Sequence, residues 1–382
     1  MDRVRVKPEM LRWACERAGF EPGALAGRIP RLASWLQGEA QPTLKQLESL
    51  ALATHTPVGY LFLPEPLVEE VPIPDFRTMG SERLVRPSAD LLDTIYLCQQ
   101  RQEWYRDYAR TEGEKPLPFV GSASLASDVV ETAAHMRGAL GFDLEERRQT
   151  PSWTEALRRF IGLAEELGVL VMVSGVVGSN NRRKLDPEEF RGFALADPLA
   201  PLVFINGADT KAAQMFTLAH ELAHVWLGQS ALSDVAPVSS PSQATELWCN
   251  RVAAELLVPL AAFREEYQPK ALLRSELDRL ARRFKVSTLV VLRRMHDAGG
   301  LTGDQFWREY RHELERLRAM TPPGDGGNFY LTLGARASKR FARALVVRTL
   351  EGQSSFTEAF RLLGLKKMVT FQELGHSLGV GF

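Results

Sequence analysis

The pentapeptide His220-Glu221-Leu222-Ala223-His224 constrains this chain more than any other feature. It sits within residues 216–228, where Phe216, Leu218, Ala219, Leu222, Ala223, Val225, Trp226 and Leu227 are apolar almost all round. A helix that is apolar on every side has to be buried. Burying two imidazoles and a carboxylate without partners is costly. The fold must therefore enclose this helix and also give its polar residues something to bind. Residues four apart stand one turn apart on one helix face, so both imidazoles reach a single metal ion. Glu221, about 100° further round, is poorly placed to join them as a ligand. It can meet a water on that ion, which is the geometry of a general base in metal-assisted hydrolysis. With 7 histidines among 382 residues, a chance HExxH has odds of about 1 in 100. The motif is therefore read as a metal site, with zinc the expected ion.

Two histidines do not complete such a site, because a catalytic zinc usually takes three protein ligands and a water. His55, His135, His296, His312 and His376 fall in segments without comparable packing. Residues 245–259 read as a second apolar helix carrying two carboxylates, Glu246 and Glu255, nine positions and so about 900° apart, on opposite faces. Glu246 is the preferred third ligand and Glu255 the second choice. Asn250, one turn after Glu246, is expected to hold a ligand histidine from behind. Cys249 is assigned to core packing. Arg251 is one candidate for stabilising an oxyanion, although an arginine there is more commonly a solvated helix residue.

Composition sets the frame around this site. Hydrophobic residues make up 45% and charged residues 25%, which excludes a wholly disordered, collagen-like or disulfide-built chain. No run approaches the ~18 apolar residues of a membrane span, and residues 1–8 contain no apolar signal core. The three cysteines show no paired spacing. A cytoplasmic protein without a membrane partner is expected. Nothing in the sequence sets an oligomeric state. The formal net charge of +0 hides an asymmetry, because residues 264–382 carry 21 basic and 13 acidic side chains. That surplus of +8 suggests an acidic partner.

The chain reads as six stretches. Residues 1–64 form a small helical unit, with helices at 8–18, 22–26 and around Leu32 and Trp35, then one from Thr43 with Leu44, Leu47, Leu50 and Ala51 on one face. Residues 65–80, rich in proline and glutamate at their start, read as a linker. Residues 81–150 form a helical connecting region that includes a long helix at 88–112. The core at 151–265 opens on a helix at 152–167 with Ser152 as N-cap. Strands are expected at 169–173, 190–195 and 201–206, before the HExxH helix near 209–227 and the glutamate helix at 243–257. Residues 266–320 are a helical extension and 321–382 a basic helical C-terminal region.

The segments Phe-Thr-Leu-Ala-His-Glu-Leu-Ala-His at 216–224 and Glu-Leu-Trp-Cys-Asn-Arg-Val-Ala-Ala-Glu-Leu-Leu-Val-Pro at 246–259 resemble the ImmA/IrrE family of zinc metallo-endopeptidases. The N-terminal unit also resembles the Cro/cI-type (XRE) helix-turn-helix that is often fused to them. The resemblance implies a mostly α fold with a small α+β zinc peptidase core. That core would be a short β-sheet plus the HExxH helix and a following glutamate helix. A helix-turn-helix-like bundle would precede it and a helical region would follow. It implies zinc held by His220, His224 and Glu246, with Glu221 as the catalytic base. It also implies a repressor-type protein substrate, whose cleavage or inactivation would switch on stress or mobile-element genes. The strand at 201–206 is expected at the edge of the sheet, where it could align an extended substrate.

DNA is a second expected partner. Arg28 and Arg31 are the only cations near the N-terminal recognition element, where Pro30 is ill suited to a helix interior and only eight residues separate Ala26 from Trp35. Docking of a repressor by this unit is an equal expectation. A further helix-turn-helix shape at 280–295, with Ser287 as N-cap, carries Arg282, Arg283, Lys285, Arg293 and Arg294. The alternative to a peptidase is an antitoxin-like DNA- or protein-binding regulator with a structural or vestigial zinc site.

Overall fold

A computed structural model of the chain describes residues 3–75, 87–233, 244–320 and 334–381. The chain divides into two compact units, Met1–Pro72 with Leu84–Ile95, and Ile73–Arg83 with Tyr96–Phe382.

The first unit is built from short helices. Helix α1 (Pro8–Arg17) starts on a proline, which has no N–H to leave unsatisfied. A 3-10 turn at Pro22–Leu25 leads to α2 (Leu32–Leu36). Helix α3 (Leu44–Ala53) opens on a capping box formed by Thr43 and Gln46, and a second 3-10 turn (Val58–Phe62) follows. Met10, Leu11, Trp35, Leu47, Leu50 and Leu61 share its core. Leu44, expected on the inward face of α3, is 50% exposed. Of the linker expected at 65–80, residues 65–75 form no helix or strand and are tied to the helices, while residues 76–80 lie outside the described residues. The indole of Trp13 donates to the carbonyl of Leu67 at 3.1 Å, and the buried Arg17 pairs with Glu69 at 2.6 Å. A buried guanidinium needs an anion, and Glu69 draws the strap onto the helices.

The second unit holds the sheet. Helix α4 (Ala89–Thr111) begins among the residues of the first unit and ends among those of the second. Helices α5 (Val129–Leu140), α6 (Leu144–Gln149) and α7 (Trp153–Leu167) follow, the last capped by the expected Ser152, whose hydroxyl accepts from the Glu155 amide. Gly168, at φ +115°, stops α7 in a conformation that costs glycine little. Strands β1 (Leu170–Ser174), β2 (Gly192–Leu195), β3 (Leu202–Asn206) and β4 (Ala231–Ser233) form one mixed sheet in the order β1-β3-β2-β4. β1 runs parallel to β3, and β2 is antiparallel to both of its neighbours.

This order corrects the expected edge. β3, all five residues buried, lies between β1 and β2 with both sides of its backbone paired, so no further chain can add to it. The edges are β1 and β4. Beside β4, the Leu232 amide donates to the Pro74 carbonyl at 2.9 Å, and Asp75 bridges Leu232 in parallel.

Helix α8 (Lys211–Leu227) lies between the sheet and α9 (Ala244–Leu257), packing against both. Its apolar circumference is why it is covered on all sides. Helices α10 (Leu260–Glu266), α11 (Leu273–Phe284), α12 (Thr288–Asp297) and α13 (Gly303–Met320) extend the same core. Helices α14 (Lys339–Leu350), α15 (Phe356–Leu363) and α16 (Met368–Ser377) complete the unit. The fold is mostly α with a small β-sheet, as expected, and that sheet has four strands where three were expected. Among the described residues, no helix is long and apolar enough to cross a membrane.

Candidate metal centre

Helix α8 starts on Thr210, whose hydroxyl accepts from the Ala213 amide, and ends on Gly228 in the left-handed conformation. Between these stops, His220 and His224 point to one place from successive turns, with Nε2 atoms 3.2 Å apart. Helix α9 packs across α8 and brings Glu246 to the same place. Its Oε2 lies 3.2 Å from His220 Nε2 and its Oε1 3.0 Å from His224 Nε2. His220, His224 and Glu246 are the one such cluster of ligand atoms among the described residues, all within 4.8 Å of one another. All three side chains, and that of Glu221, have 0% exposure.

These distances test the fit to an ion. Around a tetrahedral zinc with bonds of about 2.05 Å, donor atoms stand about 3.3 Å apart. The three contacts here match that spacing. The donor set also suits the ion. His220 Nδ1 lies 3.1 Å from Asn250 Oδ1. An amide oxygen only accepts, so Nδ1 carries the proton and Nε2 keeps its lone pair. Residues present therefore fit a zinc held by His220, His224 and Glu246.

The electrostatics separate the two carboxylates. Burial works against the charge on Glu246, yet the two imidazoles outweigh it and hold its carboxyl down at about 2. Burial pushes Glu221 up to about 8; His220 opposes that rise and Glu246 adds to it. Burial also opposes protonation of His220, but Glu246 overcomes it and raises that imidazole, whereas at His224 burial prevails and lowers it. One acid is thus held ionised while its neighbour binds a proton more tightly, so the environment pushes the two carboxyls apart.

The other sequence candidates lie elsewhere. Glu255 is not at the centre. It pairs with Arg294 at 2.8 Å and accepts from the Leu260 amide at the start of α10. Arg294, expected at a nucleic-acid or partner surface, is only 4% exposed and is held between Glu255 and Asp297. It sits on the inward face of α12, where burying it without carboxylates would cost several kcal/mol. Arg293 pairs with Asp297 and Arg283 with Glu266. Lys285 takes a left-handed turn at φ 53° and sets its ammonium over the Trp153 ring. Arg282, Arg28 and Arg31 are exposed. Arg251 faces solvent, and Cys249 is fully buried in the main core. Part of the C-terminal basic surplus is neutralised just after α4, where Arg348 pairs with Glu112 and Arg340 with Glu114.

Two residues escaped the sequence reading. Ser233 places its hydroxyl 3.3 Å from Glu221 Oε2 and 3.2 Å from His224 Nε2. Gly192 leaves the space that Glu221 and Thr217 fill. The available signal was the Arg-Gly-Phe-Ala-Leu run at 191–195, where a glycine opens an otherwise apolar strand.

Residues 164–296 match the family model of the peptidase M78 group, described as the IrrE N-terminal-like domain. The matched stretch contains the sheet, α8, α9 and the cluster just described, and it supports a metallopeptidase domain here. Residues 337–377 match a model described as a domain of unknown function. No curated protein matches the chain.

Proposed function

We propose that the chain is a zinc-dependent endopeptidase that cleaves or inactivates a repressor-type transcriptional regulator in the cytoplasm, derepressing stress or mobile-element genes. The observation that supports this reading is Glu221, a fully buried carboxylate on the same helix as two histidines of a His-His-Glu set spaced for one ion. Zinc, when bound, supplies Lewis-acid polarisation and an acidified water. His220, His224 and Glu246 would hold it, and Asn250 fixes the tautomer of His220. Glu221 takes a proton from the attacking water and returns it to the leaving amine.

For partner recognition, α2 spans only five residues, little more than one helical turn. A helix that short presents few side chains to a major groove, which favours docking of the repressor on the first unit. DNA is the second proposed partner, through exposed Arg28, Arg31 and Arg282 and the Lys366-Lys367 pair.

One observation favours a different reading, a regulator whose zinc is structural. None of the four central side chains touches solvent. A single experiment separates the two. Elemental mass spectrometry should find about one zinc per chain in the parent and in Glu221→Gln, and none in His224→Ala. On the peptidase reading Glu221→Gln loses cleavage by at least about a hundredfold. Cleavage undiminished in that variant removes Glu221 from the mechanism. Absence of metal from the parent leaves a regulator with a vestigial zinc site.

A further inference from the structure

The Glu221 carboxylate lies in a slot built by one cross-strand pair. Gly192 on β2 stands opposite Ser233 on β4 in the antiparallel register. On the glycine side there is no side chain to intrude. A Cβ at residue 192 would stand 3.3 Å from Glu221 Oε1 and 2.5 Å from Thr217 Cγ2. On the serine side, a hydroxyl that is 1% exposed reaches Glu221 Oε2 at 3.3 Å. The two carboxylate oxygens therefore differ. Oε2 receives the hydroxyl, while Oε1 faces the glycine, buried and without a hydrogen-bond partner.

The serine proton has two acceptors in reach, Glu221 Oε2 and His224 Nε2. The His224 lone pair faces the place where Glu246 and His220 converge, so in the loaded protein it is committed there. That leaves the carboxylate as the acceptor. The last torsion of a glutamate is broad and two-fold, so nothing intrinsic holds the carboxylate plane. A buried hydroxyl on a paired strand supplies that hold, because its own position is set by the backbone register with Gly192.

We infer that Ser233 is a positioning residue for Glu221. Its hydroxyl fixes the rotation of the carboxylate by holding Oε2 at a group that itself lies 3.2 Å from His224 Nε2. The assignment rests on the reading of Glu221 as proton acceptor. It adds that β4 contributes to the chemistry through a side chain.

The test uses the full chain and two readouts. In the zinc-loaded protein acting on unfolded casein, Ser233→Ala should lower kcat about tenfold, with KM and zinc content unchanged, and Ser233→Thr should restore most of the rate. The second readout needs no activity. In the zinc-loaded protein, where His224 Nε2 is no longer available to the hydroxyl, Ser233→Ala should lower the urea midpoint in the parent background and leave it unchanged in the Glu221→Ala background. Equal losses in both backgrounds overturn the proposal, and so does a Ser233→Ala protein with full kcat beside an active parent. A parent that leaves casein intact counts against a general peptidase and not against the role of Ser233, which the unfolding cycle still decides.

Discussion

Asn250 accepts a hydrogen bond from His220 Nδ1 at 3.1 Å, one turn along α9 from Glu246. A single helix therefore supplies both a carboxylate at the centre and the group that orients a histidine on the facing helix. Outer partners of this kind typically contribute tenfold to hundredfold in metal affinity. Asn250→Ala should weaken zinc binding by about that factor, and Asn250→Asp should retain it, as measured by competition with a chromogenic chelator. An affinity unchanged in Asn250→Ala would show that the ring is held by packing alone.

Gly192 should not tolerate a methyl group. An alanine Cβ would lie 2.5 Å from Thr217 Cγ2 and 2.7 Å from the Phe204 carbonyl oxygen, the second of which belongs to the central strand. Overpacking of this kind typically costs about 1–3 kcal/mol. Gly192→Ala should lie in that range by urea unfolding, and pairing it with Thr217→Ser should recover part of the loss by removing the nearer clash.

The Glu255–Arg294 pair is a stability element, and removing one partner strands the other in the core. Arg294→Ala should destabilise by about 3–5 kcal/mol, while Arg294→Met with Glu255→Leu should cost much less. Chemical denaturation of the three proteins checks this. If Arg294 instead served a surface partner, its loss would barely move the unfolding midpoint.

Acid sensitivity is expected at Glu313. Burial alone would raise its carboxyl, but hydrogen bonds from Arg316, Thr288 and Arg274 outweigh it and hold the group at about 2. The group thus ties α11 and α12 to α13. Its folded value lies below the unfolded one, so the stabilisation is complete above about pH 4.5 and is lost as pH falls toward 2. Glu313→Gln should be about 2 kcal/mol less stable than the parent at pH 7, and the gap should close toward pH 2. A gap that stays constant across that range would show that packing, not charge, is responsible.

Much of this architecture could be read from residue pattern alone, and the exceptions have physical causes. The helix around His220 was legible because its apolar circumference leaves no alternative to burial, and the β-rich runs at 169–173 and 201–206 declare themselves by composition. β4 was not legible. Three residues, Ala-Leu-Ser, are too few for an alternating pattern and include no β-branched side chain. Strand order was hidden for a different reason. β3 is interior because β2 folds back beside it, a long-range pairing that no local pattern encodes. Missing β4 meant missing Ser233. The inward turn of Arg294 was hidden as well, because Arg293 and Arg294 look alike until the face of α12 is known.

The contact between Pro74 and Leu232 has a consequence for any chain that approaches β4. The outward amide of Leu232 is already bonded to the Pro74 carbonyl. An incoming extended strand therefore meets a competitor that is covalently part of the same molecule. Each main-chain bond it makes at Leu232 replaces one that existed before, and the exchange is close to neutral in backbone terms. Preference at this edge then falls to side chains, so sequence, more than mere extension, would decide which chains displace the resident one.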